Sequence, residues 1–265
     1  MQLSVGALVG GRFLVTALLA SEGGTGLYRA SDEKTRQPVV LRWIPPAPAA
    51  RTAPAFLRRF DRLGPRLEKL KHRSLGSYVA HGRDADGSLY LASVLPDGEL
   101  ASTLLSKQPE WDLAGAMRIL RDGSAGLSQL HSRGLVHGAV DPANLFVPRE
   151  PGGACTLVLD VACVDLTDLA FVGEEQTLDG GPDSGSALNQ PPPLPTPATD
   201  IVALGKIVLA WLFGEAALHD ARPDRLLQKS TQTAKSDELQ LLHSVLAAVF
   251  TSDASSRLAD AAELR

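Results

Sequence analysis

The pattern of apolar residues changes character once along the chain, and that change limits the fold more than any single motif. Before about residue 95 the apolar residues form short runs rich in β-branched and aromatic side chains, each closed by turn residues. Residues 12–18, 27–30 and 38–44 are such runs, separated by a glycine-bearing turn at 21–26 and a polar turn at 31–37. Residues 76–95 repeat the pattern around an Asp86-Gly87 hairpin signal. Between them, Phe56, Phe60, Leu63, Leu67 and Leu70 recur at steps of three and four, which predicts an amphipathic helix kinked or split at Pro65. Beyond Leu100 helical spacing takes over. Leu113, Met117, Leu120, Leu127 and Leu130 share a face, Asp200 is placed to cap the apolar helix 201–218, and Leu242, Val245, Leu246, Val249 and Phe250 mark another helix. A short strand pair, 145–147 and 156–159, interrupts the helices, and residues 173–199 carry Gly, Pro, Ser and Asp without periodicity. The expected class is α+β: one domain over residues 1–265, with an antiparallel β-sheet N-lobe at about 10–95 and a mainly α-helical C-lobe at about 96–265. The hinge is expected near residues 93–98, and the cleft between the lobes is the natural ligand site.

Composition narrows the function classes. At 265 residues, 44% hydrophobic and 21% charged, the chain has the balance of a globular protein with a substantial core. Twenty-six Lys and Arg against thirty Asp and Glu give a net charge of −4. No basic surplus or stripe stands out, so nucleic acid is not an expected partner. Cys155 and Cys163 are too few for a disulfide framework or a four-ligand zinc site, and read as small apolar core residues in a reducing, cytoplasmic compartment. Residues 1–9 lack the features of a signal peptide. Residues 201–218, broken by Gly205, Lys206 and Glu215, read as a buried helix, since a membrane span takes about 20 apolar residues. No membrane contact is expected from this chain, which reads as one domain of a longer protein.

Five segments in order carry a family resemblance. His137-Gly138-Ala139-Val140-Asp141-Pro142-Ala143-Asn144-Leu145 resembles the catalytic-loop motif His-Arg-Asp-Leu-Lys-Pro-Glu-Asn-Ile of protein kinases. Leu159-Asp160-Val161-Ala162 follows at about the spacing of the Asp-Phe-Gly segment. Asp200-Ile201-Val202-Ala203-Leu204-Gly205 resembles the start of the central C-lobe helix, and Asp253-Ala254-Ser255-Ser256-Arg257 with Ala261-Ala262-Glu263-Leu264 resembles the C-terminal signature. Leu27-Tyr28-Arg29-Ala30 and Pro38-Val39-Val40-Leu41 match the first N-lobe strands. The chain therefore resembles a bacterial Ser/Thr protein-kinase domain over nearly its whole length, which implies the two-lobed protein-kinase-like fold with an activation-segment-like loop at about 160–199.

The same resemblance implies where the chemistry departs. The glycine-loop pattern falls on Ala20, Glu22 and Thr25, with Gly23, Gly24 and Gly26 displaced, so an ordinary hairpin turn is expected rather than a phosphate cradle. Arg42 stands at the strand-three lysine; its helix partner would fall near Leu63, with Asp61 and Glu68 close by. Ala139 replaces the aspartate that accepts the substrate proton, and a methyl group accepts none. Asp141 replaces the lysine beside the transferring phosphate, inverting a charge term worth about 4 kcal/mol at roughly 4 Å and an effective dielectric near 20. Asn144 and Asp160 match the Mg²⁺-holding positions, with loop bonding and turn capping as their structural alternatives. Val161 and Ala162 replace Phe-Gly, and Arg257 lacks an evident Ala-Pro-Glu partner.

These departures predict a pseudokinase: not an enzyme, no catalytic residue, no nucleotide or metal cofactor, with weak ATP–Mg²⁺ binding the disfavoured case, and a scaffold role toward another protein. The alternative is an atypical nucleotide-binding phosphotransferase or nucleotide-gated switch using Arg42, Asp141, Asn144 and Asp160. His137-Gly138 also resembles the start of the His-Gly-Asp motif of aminoglycoside-type phosphotransferases, where Ala139 again removes the aspartate. The proline run 191–197 has P-x-x-P spacing, although composition favours a plain surface loop. Thr167, Thr177, Ser184, Ser186, Thr196 and Thr199 are candidate phosphoacceptors. His72, His81, His131, His219 and His243 show no metal spacing, and His137 is expected to pack in the loop turn.

Overall fold

The computed structural model describes residues 2–22, 24–46, 54–107, 112–160, 162–165, 195–220, 225–226 and 237–250. The early apolar runs become strands β1 (Leu8–Val9), β2 (Phe13–Glu22), β3 (Thr25–Asp32) and β4 (Pro38–Ile44), joined by β5 (Tyr78–Arg83) and β6 (Leu89–Val94). They form one antiparallel sheet in the order β1-β2-β3-β4-β6-β5. Glu22 pairs with Thr25, so the β2–β3 turn is tighter than the residue types at 21–26 suggest. One sheet face buries Phe13, Val15, Tyr28, Leu41 and Trp43 together. The other face carries Leu27 and Val40 toward the C-lobe.

Helix α1 (Pro54–Leu67) lays Phe60, Leu63 and Leu67 into the main core, at about 1.5–3 kcal/mol for each fully buried side chain. Pro65 does not split it: the residue falls in the last turn, so its ring and missing N–H act only where the helix is already ending, and the helix continues to Leu67. The outer side of α1 corrects another expectation. Residues 58–73 hold seven Lys or Arg against two Asp or Glu, so a basic stripe exists. Its charges are interleaved with Phe60, Leu63 and Leu67, and whole-chain counts dilute it.

The C-lobe is built from α2 (Ala101–Leu105), α3 (Leu113–His131), α4 (Pro197–Phe213) and α5 (Asp237–Phe250). Strands β7 (Glu99–Leu100), β9 (Leu145–Val147) and β10 (Thr156–Leu157) make a small antiparallel sheet, and β8 (Leu135–Val136) pairs with β11 (Val164–Asp165). A side chain at Gly123 would meet Leu204 at 2.6 Å, so this glycine sets how closely α3 and α4 approach. Trp211 Nε1 donates to Asp112 Oδ2 at 3.1 Å, and Asp112 Oδ1 caps α3 by accepting from the Gly115 amide at 3.0 Å. Thr196, not Asp200, caps α4; it forms a reciprocal capping box with Thr199 ahead of Pro197. Cys155 and Cys163 are both buried, and burial pushes the Cys155 thiol up to about 12. Among the described residues no helix is long and apolar enough to cross a membrane. Gly23, Val161, Thr167, Thr177, Ser184, Ser186, residues 191–194 of the proline run and the signature at 253–264 lie outside the described residues.

Candidate functional site

The loop between β8 and β9 is fixed from below by Asp200. That carboxylate is 2% exposed and accepts from the His137 amide at 2.8 Å and the Gly138 amide at 2.9 Å. His131 Nε2 lies 2.9 Å from Asp200 Oδ2, tying the end of α3 to the same carboxylate. An aspartate expected to cap a helix is therefore the anchor of the loop. Gly138 has φ +72, and a Cβ there would meet the Ala162 carbonyl oxygen at 2.5 Å; only glycine fits this turn without strain. His137 packs as expected: fully buried, it donates from Nε2 to the Val158 carbonyl at 2.9 Å and accepts from the Ala139 amide at Nδ1 at 3.3 Å. His131 had no sequence signal beyond its place in the last turn before His137.

On this platform the structure gathers Arg42, Asn144 and Asp160. Arg42 points from the middle of β4, where it faces Leu27 of β3 and Leu91 of β6 in register. Its Nε lies 2.8 Å from Asp160 Oδ2, with both side chains nearly buried, and its Nη2 donates to Asn144 Oδ1. The Nε–H finds no aligned acceptor, so the contact with Asp160 is an ion pair more than a directed hydrogen bond. Asn144 closes a 3₁₀ turn (Pro142–Asn144) and donates from Nδ2 to the Ala139 carbonyl at 2.7 Å. Asp160 Oδ1 accepts from the Ala162 amide at 3.0 Å, capping its turn. Both structural roles read from the sequence are present, and both side chains also hold Arg42. Arg42 does not pair with α1. Leu63 faces the core, and Asp61 is taken by Arg83.

The oxygens of Asn144 and Asp160 suit Mg²⁺, but a guanidinium already lies against both. The pair fits a metal ion only once Arg42 withdraws. Among the described residues no group of three or more His, Cys, Asp and Glu could hold one. Behind Arg42, Leu27 and Val40 from the sheet meet Leu100, Phe146 and Val158 from the C-lobe, all at 4% exposure or less, with Leu19, Ala20 and Leu95 packed around them. This part of the cleft is thus filled by side chains. Next to it, a groove of about 470 Å³ remains, lined by Ala20 and Ser21 of β2 and Asp141 of the loop among others. Asp141 Oδ1 accepts from the Ala143 amide at 2.7 Å and caps the 3₁₀ turn. Ala139, half-buried at the loop, offers only a methyl group. Thr25 sits opposite Glu22 at the hairpin tip, in an ordinary antiparallel register.

No family model matches the chain. Its relatives include the Ser/Thr-protein kinase PknL of Mycobacterium tuberculosis, 27% identical over 218 residues that cover 78% of this chain and 51% of that protein. The Ser/Thr-protein kinase pkn3 of Myxococcus xanthus is 28% identical over 180 residues, covering 66% and 32%. The chain spans about half the length of PknL. Among solved structures, the kinase domain of Mycobacterium tuberculosis PknI superposes with a TM-score of 0.66 at 19% identity, covering 99% of this chain and 97% of that one. The expectation that this chain is not an enzyme is corrected here, because the relatives are named as protein kinases and the structural neighbours are kinase domains. Ala139 and Arg42 are departures from a pattern found in enzymes and do not by themselves exclude activity. The chain is a two-lobed kinase-like domain, similar to bacterial Ser/Thr protein kinases.

Proposed function

We propose that this chain is an atypical phosphotransferase domain of the Ser/Thr-protein-kinase type, gated at its cleft, which signals to another protein in the cytoplasm. The observation that carries the reading is the bridge from Arg42 on the N-lobe sheet to Asn144 and Asp160 on the C-lobe. Admitting a nucleotide requires moving Arg42 off both partners and parting Leu27 and Val40 from Phe146 and Val158. Bound Mg²⁺–nucleotide supplies the transferable phosphoryl group; Asn144 and Asp160 would hold the ion. Arg42, once released, keeps a positive charge to place against phosphate oxygens. With Ala139 in the loop, the acceptor hydroxyl loses its usual proton acceptor, a contribution of about 10²–10⁴ in rate, so transfer is slow. The names of PknL and pkn3 support the reaction class, and the two free buried thiols support a reducing compartment.

Thermal unfolding with ATP, with and without Mg²⁺, tests this together with radiolabel transfer from ATP. A ligand at 100 times its Kd stabilises by about 2.7 kcal/mol. The reading expects a Mg²⁺-dependent rise in Tm and slow transfer that disappears in Asp160→Asn. No rise and no transfer at saturating Mg²⁺–ATP would end it.

A further inference from the structure

We infer that the outer face of α1, with the turn that follows it, is a docking surface for an acidic segment of a partner protein. Residues 58–73 carry a formal charge of +5 in a chain whose total is −4. Arg58, Arg62, Lys69, Lys71 and Arg73 are exposed, and Arg59 and Arg66 are half-buried beside them. Arg58, Arg62 and Arg66 follow one another at steps of four, so they stack along one side of the helix. Like charges at that spacing cost a helix a few tenths of a kcal/mol each; Arg66 also donates to the Arg133 carbonyl, which ties the end of α1 to the C-lobe and leaves its charge in the row. One of the two acids in the run, Asp61, is held by Arg83 of β5, which adds a further cation to the same field. At physiological salt the Debye length is about 8 Å, shorter than the roughly 21 Å length of α1, so acidic groups farther from the row than that do little to offset it.

The chemistry of the face selects the occupant. Guanidinium forks take carboxylates two hydrogen bonds at a time. A lipid surface would need apolar side chains beside the cations, but Phe60, Leu63 and Leu67 are turned into the core. Among the described residues the exposed large hydrophobics are Val5, Leu8, Leu18, Val94 and Leu241, none of them on α1. Single-stranded nucleic acid would need exposed aromatic rings for stacking, and Phe56 and Phe60 both pack inward. A linear row of arginines about one helix long matches an acidic peptide.

The test uses the whole chain without nucleotide, so its failure leaves the reading of Arg42 untouched. A fluorescein-labelled peptide of alternating Glu and Ser, as long as α1, is titrated by fluorescence anisotropy. Binding is expected, weakening as salt rises. The double variant Arg58→Glu with Arg62→Glu should lose about tenfold or more in affinity, while Arg58→Lys with Arg62→Lys keeps most of it. Thermal unfolding checks that both variants fold, as exposed sites allow. No binding, equal binding by the charge-reversed variant, or tighter binding to phosphatidylserine vesicles or to a DNA duplex would each overturn the inference.

Discussion

Two arginine–aspartate pairs in this molecule use the same chemistry to opposite ends. Arg12 and Asp32 close the base of the β2–β3 hairpin. Arg12 Nε and Nη2 donate to the two carboxylate oxygens at 2.8 and 2.7 Å, and Asp32 also accepts from the Lys34 amide at 3.0 Å and the Thr35 hydroxyl at 2.8 Å. Every bond lies within one sheet corner, so no domain motion strains it. Arg42 and Asp160 make one close contact, without an aligned N–H, between groups in different lobes. Breaking the first pair leaves a buried carboxylate with nowhere to go. Breaking the second can be accompanied by opening of the cleft, which lets water reach both charges. A buried ion pair stabilises a fold when its geometry is complete and local; placed across a cleft with partial geometry, it stabilises one position of the lobes.

This contrast sets the order of expected effects. Asp32→Ala should lower unfolding free energy by about 3 kcal/mol, the lower end for breaking a buried pair because Arg12 keeps some solvent contact; chemical denaturation measures it, and an unchanged midpoint would remove the pair as a staple. Ala139→Asp should raise phosphoryl transfer on the order of 10²-fold, about 2.7 kcal/mol, if the loop platform is otherwise in place. Unchanged transfer would mean that the loop is not positioned for the reaction. Arg42→Gln should cost only about 1–2 kcal/mol, since the freed Asp160 gains water as the lobes part. A cost equal to that of Asp32→Ala would make Arg42 a second staple and break the comparison. The smallest effect is on pH dependence. The hydrogen bond from Arg12 holds the Asp32 carboxyl well below the usual carboxylate range. Its contribution is therefore complete above the unfolded value of about 3.9 and is lost as pH falls below it. Acid unfolding followed by circular dichroism should begin below about pH 4 and lose part of its steepness in Asp32→Asn.

Most of the sheet was legible in the sequence through β-branched runs closed by turns, as in residues 38–44, and through the Asp86-Gly87 hairpin; the two-residue edge strand β1 is too short to carry such a signal. The positions of Asn144, Asp160 and Arg42 were legible through the motif order. Their joint contact was not, since Asn144 lies 102 residues from Arg42 and no local pattern encodes such a pairing. Asp200 shows a different limit. Asp200 and Thr196 both offer capping side chains near the start of α4, and only the fold shows that Thr196 takes the cap while Asp200 turns inward to the loop. The basic row on α1 escaped because net charge averages over the whole chain, whereas recognition depends on charge within a few ångströms.

The most direct test of the account is the Arg42 side chain itself. In a proton–nitrogen correlation spectrum the Arg42 Nε–H signal can be assigned by its loss in Arg42→Lys. Opening of the cleft predicts that this signal moves when ATP and Mg²⁺ are added together and stays in place when either is added alone. An Arg42 signal that remains unmoved at saturating Mg²⁺–ATP, while other resonances report binding, would contradict the claim that this arginine gates the cleft.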